Sequence, residues 1–199
     1  MNTNNIIDMS YMFSYCFSLQ YIDLSNFITK NVINMSNMFQ SCIKLKDIDL
    51  SNFNTQNVIN MSKMFHSCKT LKEINLSNFN TDKVNDMSGM FYDCISLKIL
   101  DLSNFNTQNV VNMENMFRNC NEITDLNLSN FNTNNVINMS YMFNGCTSLK
   151  NLNLSNFNTI KVNEINSNIF FGIDKNCKYI IKDEKLLNLY NEMNKCSMF

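Results

Sequence analysis

The sequence has no proline or tryptophan, only three glycines, and one histidine, His66. No nucleophile elbow, phosphate-binding loop or HExxH motif occurs. His66 and Cys68 are two positions apart, and such side chains do not face each other on a helix, so they form no catalytic dyad. We therefore expect no enzyme.

Other absences narrow the function further. No stretch approaches 18 consecutive apolar residues, so the sequence predicts no membrane-spanning helix. The start, MNTNNIIDMS, has no Lys or Arg and no apolar run, and is therefore no secretory signal. The 16 basic and 17 acidic residues nearly balance, which removes the electrostatic argument for nucleic acid. We also expect no cofactor.

What the sequence does contain is a repeat. Six copies each begin with a methionine, 26 residues after the previous one: Met9, Met35, Met61, Met87, Met113 and Met139. A fixed period between 20 and 50 residues is typical of a solenoid. Each copy has about nine apolar positions, too few for a core of its own, but stacked copies would share one.

One copy, 61–86, predicts the elements of the repeat. Met61, Met64, Phe65 and Cys68 fall at i, i+3, i+4 and i+7, which predicts a two-turn helix with one buried side. The slot before each methionine holds only Asn or Asp, as a helix N-cap would: Asp8, Asn34, Asn60, Asp86, Asn112 and Asn138. The residues 71–76 alternate as a half-buried strand does, and 77–81 hold turn formers around one aromatic.

These residues point to a family. The block L-x-x-I-D-L-S-N-F resembles the strand segment of a leucine-rich repeat. The longer pattern N-M-S-x-M-F-x-x-C-x-x-L-x-x-[IL]-[DN]-L-S-N-F-N-T-x-x-V resembles the repeat of BspA-type leucine-rich-repeat surface proteins, from Asp8 to about Val162. The resemblance implies an α/β, right-handed leucine-rich-repeat solenoid of six 26-residue strand–turn–helix repeats. It also implies export, and adhesion or partner binding.

The two ends depart from the repeat. We assign 1–164 to the solenoid and 165–199 to a C-terminal capping segment, because the seventh copy loses its Met-Ser pattern. The capping segment predicts a strand at 177–181 and a helix from Asp183 to about Asn194. At the N-terminus no polar cap is evident. We expect a fragment of a longer surface protein; the alternatives are end-to-end association through this uncapped edge, or a minimal cap made by Ile6 and Ile7.

Two constant columns have structural interpretations. Six cysteines occupy the inward slot of the predicted helix, where we expect buried free thiols: Cys16, Cys42, Cys68, Cys94, Cys120 and Cys146. Zinc has little support without a CxxC pair, and a pairing of Cys177 with Cys196 stays open. Six asparagines at the turn are expected to satisfy backbone groups: Asn26, Asn52, Asn78, Asn104, Asn130 and Asn156.

The candidate binding residues flank the buried strand positions and should face outward in columns about 4.8 Å apart. The first column is Tyr21, Asp47, Glu73, Ile99, Asp125 and Asn151; the second is Asp23, Asp49, Asn75, Asp101, Asn127 and Asn153. Lysines follow one margin. We expect an extended, somewhat basic protein partner to dock on this acidic face. The alternative is a solvated face with no ligand. Carboxylates spread along a face do not promise calcium, and we expect no metal site.

The sequence therefore predicts a non-catalytic adhesion or protein-binding module of a cell-surface or secreted protein. Its partner would be a host or matrix protein or another surface protein. The alternative is a cytoplasmic scaffold that uses the same face.

Overall fold

The computed structural model describes residues 3–196, with backbone only for Ser167 and for 194–196. Successive repeats stack as parallel rungs in the 26-residue register of the sequence. One line of backbone bridges joins the Asn/Asp slots of neighbouring rungs: Asp8 to Asn34, Asn34 to Asn60, Asn60 to Asp86, Asp86 to Asn112, Asn112 to Asn138 and Asn138 to Glu164. The stack of rungs expected from the period is thus present in the described chain.

The methionine segment of each rung is not a helix, and the helix prediction was wrong. The N–H groups of Met61 and Lys63 donate to the carbonyls of Asp86 and Ser88 in the next rung, at 3.0 and 2.8 Å. The N–H of Met64, which follows Lys63, instead donates within the rung to Met61 O at 3.3 Å and closes a tight turn. Because alternate N–H groups leave for the next rung, the i to i−4 bonds of an α-helix cannot form. We call this stretch the turn ladder.

Left-handed backbone makes the turn ladder possible. Lys63 and Ser67 have φ of 54° and 59°, each at the third position of a turn that requires positive φ. Equivalent positions in other rungs behave alike, and include Asn37, Ser41, Gly89, Asp93, Asn115 and Asn119. Polar residues at these slots therefore serve the turn geometry as well as the outer surface.

The burial pattern was nevertheless predicted correctly. Met61, Met64, Phe65 and Cys68 are all fully buried, as a one-sided apolar pattern requires. The phenylalanines of this slot form a continuous stack, in which ring centroids are 5.4–5.9 Å apart: Phe13, Phe39, Phe65, Phe91, Phe117, Phe143 and Phe170. A series of turns can thus bury the same positions as an amphipathic helix does.

The Asn/Asp slot caps a turn rather than a helix. Asn60 Oδ1 accepts the N–H of Ser62 at 2.8 Å, and Asp86 Oδ1 accepts that of Ser88 at 2.8 Å. This is an Asx turn, which uses the same short side-chain oxygen that an N-cap uses. The chemistry inferred for the slot is therefore right, and the element it starts is different.

The opposite side carries parallel strands. Regular strands are β1 (Asp125–Asn127), β2 (Asn151–Leu154) and β3 (Lys178–Ile181), in the order β1-β2-β3. Earlier rungs are less regular here, with one isolated bridge between Glu73 and Ile99. Alternate residues such as Leu126 and Leu152 are buried, which confirms the two-residue period expected for this segment.

A column of buried threonines, which the sequence analysis did not identify, joins the rungs between the two sides. Thr55 Oγ1 donates to Asn80 O at 2.9 Å and accepts the N–H of Asn80 at 2.8 Å. The same pair of bonds recurs from rung to rung, and the column is buried throughout: Thr3, Thr29, Thr55, Thr81, Thr107, Thr133 and Thr159. The Asn-Thr pair at a fixed slot was the sequence signal for it.

The C-terminal segment continues the stack for one rung and then closes it. A 3₁₀-helix (Ser167–Phe170) precedes β3, and the helix α1 (Glu184–Cys196) follows it. Leu186 and Tyr190 of α1 are buried, and Asp183 Oδ1 accepts the N–H of Leu186 at 3.0 Å as an N-cap. The predicted strand and helix are confirmed. The division of the chain at 165 stays a prediction.

The first rung is less covered than the others. Residues 3–8 contact the first rung through Thr3 Oγ1, which donates to Ile28 O, and through Ile7 O, which accepts the N–H of Ile33. Phe13 is therefore half-buried, and Cys16 is exposed where an inward thiol was expected. The five later thiols of the column are buried and free, as predicted. Cys177 is also a free thiol, whereas the side chain of Cys196 lies outside the described residues.

Candidate functional site

The predicted binding residues lie together on the side of the strands, which we call the strand face. Its first column is Tyr21, Asp47, Glu73, Ile99, Asp125 and Asn151, and its second is Asp23, Asp49, Asn75, Asp101, Asn127 and Asn153. Every member is exposed except Asn153, which is half-buried. In the regular part of the sheet Asp125 pairs with Asn151, and Asn127 with Asn153, as the columns require.

The second column is already engaged by its own turn. Asp49 Oδ1 accepts the N–H of Ser51 at 2.9 Å, and Asp23 Oδ1 accepts that of Ser25 at 2.9 Å. Hydrogen bonds from the hydroxyl and then the N–H of the serine hold the pKa of Asp23 and Asp49 below its usual value. Asp101 has a lowered pKa from the same pair of donors on Ser103. These carboxylates are therefore held in fixed positions and ionised.

Two carboxylates near the start of the first column have no partner among the described residues. The side chains of Asp47 and Glu73 form no hydrogen bond or ion pair with any residue in 3–196. Lys46 lies beside them with its Nζ 5.9 Å from the ring centroid of Tyr21. The first rungs of the strand face thus present negative charge that the fold itself does not use.

The later rungs form a groove instead. An open cavity of about 910 Å³ lies over rungs four to seven, and its lining includes Ile99, Thr124, Leu149, Lys150 and Lys178. A neighbouring hollow of about 450 Å³ shares Ile99 and Thr124 with it. Ile99 is 64% exposed and lies between Glu73 and Asp125 in the first column.

The carboxylates of this groove have partners within the protein, whereas the side chains of Lys150 and Lys178 have no hydrogen bond or ion pair in residues 3–196. Lys98 Nζ lies 3.2 Å from Glu122 Oε2, the one ion pair among the described residues. Asp125 accepts hydrogen bonds from Thr124 Oγ1 and Asn151 Nδ2, and these lower its pKa. The strand face therefore changes along its length, from unpaired carboxylates to a groove with partnered carboxylates, two unpaired lysines and an exposed aliphatic group.

Sequence analysis missed the last members of both columns. Lys178 pairs with Asn151, and Ile180 with Asn153, so both extend the strand face by one rung. The seventh rung contains one extra residue, since Phe143 N–H donates to Ile169 O, whereas Phe117 N–H donates to Met142 O in the usual register. A search at a strict 26-residue spacing therefore passes over these two positions.

The single histidine belongs to a packed column on the outside of the turn ladder. The His66 ring stacks on Tyr92, with centroids 4.6 Å apart, and its Nδ1 lies 3.2 Å from Gln40 Nε2. Arg118 lies between the rings of Tyr92 and Tyr141, at 5.4 and 4.9 Å. Burial lowers the pKa of His66. Its contacts join rungs and bring no nucleophile to the ring.

Cys68, the other member of the dyad considered above, points into the core. Its Sγ donates to Phe39 O at 3.3 Å, and burial raises the pKa of its thiol.

No group of three or more His, Cys, Asp or Glu side chains in the described part of the chain could hold a metal ion. Nor does any helix within 3–196 have both the length and the apolar character to cross a membrane.

Comparison with known proteins places the chain in a family. The model of the family described as "Mycoplasma protein of unknown function, DUF285" matches residues 1–98 and again 67–183. No curated protein matches the chain. A crystal structure of a leucine-rich-repeat protein from T. pallidum, TpLRR, is similar with 21% identity and a TM-score of 0.49 over 73% of this chain. The chain spans 61% of the length of TpLRR. The protein therefore belongs to the DUF285 family of Mycoplasma proteins of unknown function.

Proposed function

We propose that the protein is a non-catalytic protein-binding module that holds an extended partner against its strand face. The observation that carries this proposal is the pair of exposed carboxylates, Asp47 and Glu73, which have no partner among the described residues. Carboxylates that have no partner within the fold lose no intramolecular ion pair when a ligand binds them. Opposite charge on the partner also speeds the encounter of the two molecules. A stack of rungs also offers an extended surface, as repeat proteins commonly do.

At a finer level we propose that the module serves adhesion at a cell surface, with a host or matrix protein or another surface protein as partner. This rests on the resemblance of the repeat to BspA-type surface proteins. The alternative is a scaffold inside the cell that uses the same face. Protease shaving of intact source cells separates the two: release of peptides from 9–162 supports the surface role, and protection of the chain supports the scaffold.

The binding proposal is tested by cross-linking the purified protein to its partners and mapping the linked residues by mass spectrometry. We expect links at Lys46, Lys72 and Lys98, beside the strand face. The double substitution Asp47→Lys/Glu73→Lys should reduce capture of the same partners at least tenfold. Glu184→Lys/Glu192→Lys changes the net charge equally on α1 and should leave capture unchanged. Links confined to other surfaces, with unchanged capture by the first variant, would exclude the strand face as the site.

A further inference from the structure

The strand face has two halves of different chemistry, and this contrast indicates what kind of partner it fits. In the first four rungs, the second column holds fixed carboxylates at Asp23, Asp49 and Asp101, and the first column holds Asp47 and Glu73. Each carboxylate of the second column keeps its position because the following turn binds it. An array of fixed charges loses little entropy on binding, so it favours a partner with several cations in a row.

The later half differs because its carboxylates have partners within the protein, while the side chains of Lys150 and Lys178 line the groove without a partner among residues 3–196. Lys98 is paired with Glu122, and Asp125 is bound by Thr124 and Asn151. What the groove offers is shape and apolar surface, where Ile99 is 64% exposed in an open volume of about 910 Å³. An aliphatic side chain placed beside Ile99 would remove apolar area of both groups from water.

The size of the strand face sets the length of the partner. Seven rungs contribute to its first column, from Tyr21 to Lys178, and neighbouring strands are about 4.8 Å apart, so the column is about 29 Å long. An extended chain rises about 3.3 Å per residue, so about nine residues would span it. A single linear segment of this length covers the strand face, so a folded partner domain is not required.

We propose that the strand face recognises a linear peptide of two parts: a basic segment over Asp47, Asp49 and Glu73, joined to a segment whose aliphatic side chain sits beside Ile99 in the groove. The inference rests on the proposed function, since it names the partner class for the same face. It goes further because order matters: the basic and aliphatic residues must be in separate blocks, rather than mixed.

The test uses fluorescence anisotropy with labelled nine-residue peptides and the full chain. The block peptide KSKSKGLSL and its reversed form LSLGKSKSK cover both chain directions, and KSLSKGLSK has the same composition with the blocks mixed. We expect one of the block peptides to bind at least tenfold more tightly than the mixed peptide. Equal binding of all three, or no binding of the block peptides up to millimolar concentration, would overturn the inference.

Variants then assign each block to its half. Asp47→Lys/Glu73→Lys should weaken the block peptide at least tenfold and should bind its Glu counterpart, ESESEGLSL, instead. Ile99→Ser, which adds no charge, should abolish the preference for Leu over Ser in the second block while leaving the salt dependence of the first. Glu184→Lys/Glu192→Lys is the control for net charge, and circular dichroism confirms that each variant is folded. Failure of the charge exchange to restore binding would contradict the assignment of the basic block.

These results separate the inference from the function on which it rests. A natural partner that cross-links to the strand face but has no such two-block segment would overturn the inference and keep the proposed function. A partner that links only to other surfaces would overturn both.

Discussion

The carboxylate of Asp183 accepts both the N–H and the hydroxyl of Thr159, at 2.9 and 2.8 Å. In the rungs before it, the hydroxyl of a column threonine is bound by backbone of the next rung, as Thr133 is by Asn158. At Thr159, the last threonine of the column, the side chain of Asp183 thus takes the place of that backbone. The same carboxylate caps α1 through Leu186 N–H, so one residue satisfies the end of the threonine column and starts the helix that covers it.

Asp183→Ala should therefore destabilise the protein by about 2–4 kcal/mol, because it leaves buried polar groups of Thr159 unpaired and removes a helix N-cap. Urea unfolding measures the change. Glu184→Ala is the matched control, since it removes an exposed carboxylate one residue further along. A loss for Asp183→Ala no larger than that of the control would show that solvent replaces the carboxylate at no cost.

The phenylalanine stack should be strongest at its centre. Phe91 is fully buried with Phe65 and Phe117 both at 5.9 Å, whereas Phe13 is half-buried at one end. We expect Phe91→Ala to cost about 3–5 kcal/mol and Phe13→Ala markedly less, because a cavity in a covered site cannot be filled by solvent. Thermal and urea unfolding of the two variants provide the comparison. Equal losses would contradict the described difference in burial.

The turn asparagines should differ in importance along the chain. Asn78 Nδ2 lies within 2.8–3.3 Å of three carbonyl oxygens of the previous rung, as expected for a residue that satisfies backbone. Among residues 3–196, the side chain of Asn26 has one hydrogen-bond partner, Ser25 Oγ at 3.5 Å. Asn78→Ala should cost about 1–3 kcal/mol, since it leaves these carbonyls unpaired. Asn26→Ala should be close to neutral, and a similar loss in both would exclude the inter-rung bonds as the cause.

Thiol labelling should distinguish the first cysteine of the column from the rest. Cys16 is exposed, whereas burial raises the pKa of Cys94 and Cys146 to about 12 and that of Cys42 to about 11. With Cys196→Ser as background, iodoacetamide at pH 8 should modify Cys16 at least a hundredfold faster than the buried thiols, because only thiolate reacts. Comparable modification of Cys94 in the native protein would show that the rungs open readily.

The same thiols predict a dependence of stability on pH. A buried thiol whose pKa is raised stays protonated in the folded state, while the unfolded chain ionises near the ordinary value of about 9. The contribution of the buried thiols to the free energy of unfolding should therefore be constant below pH 8. It should fall as the pH rises from about 9 toward 12. Cys94→Ala should reduce this fall by the share of one thiol, measured by urea unfolding at several pH values.

The apolar pattern of the sequence determined which residues are buried, but it did not determine the element. Met61, Met64, Phe65 and Cys68 match a helix by spacing, and each is fully buried in the structure. The N–H groups of Met61 and Phe65, however, donate to residues 25 positions further along the chain, Asp86 O and Met90 O. No property of the segment alone reveals such a partner, because side-chain periodicity carries no information on where N–H groups point.

The candidate site shows the same limit. Alternation along each strand was enough to predict that the two columns face outward, since side chains on a strand alternate between faces. It could not separate Asp49, which binds its own turn, from Asp47, which binds nothing described, because that depends on the turn two residues later. It also missed Lys178 and Ile180, which reach the strand face only through the extra residue of the seventh rung.

For this protein, the sequence by itself determined the period, the buried slots and the outward columns, since all of these are repeated locally in every copy. The tertiary structure decided what forms between copies: the turn ladder in place of helices, the threonine column, the closing role of Asp183 and the contrast between the two halves of the strand face. The physical reason is that backbone hydrogen bonds and charge pairing join different rungs, and a rung acquires those partners only when the chain is stacked.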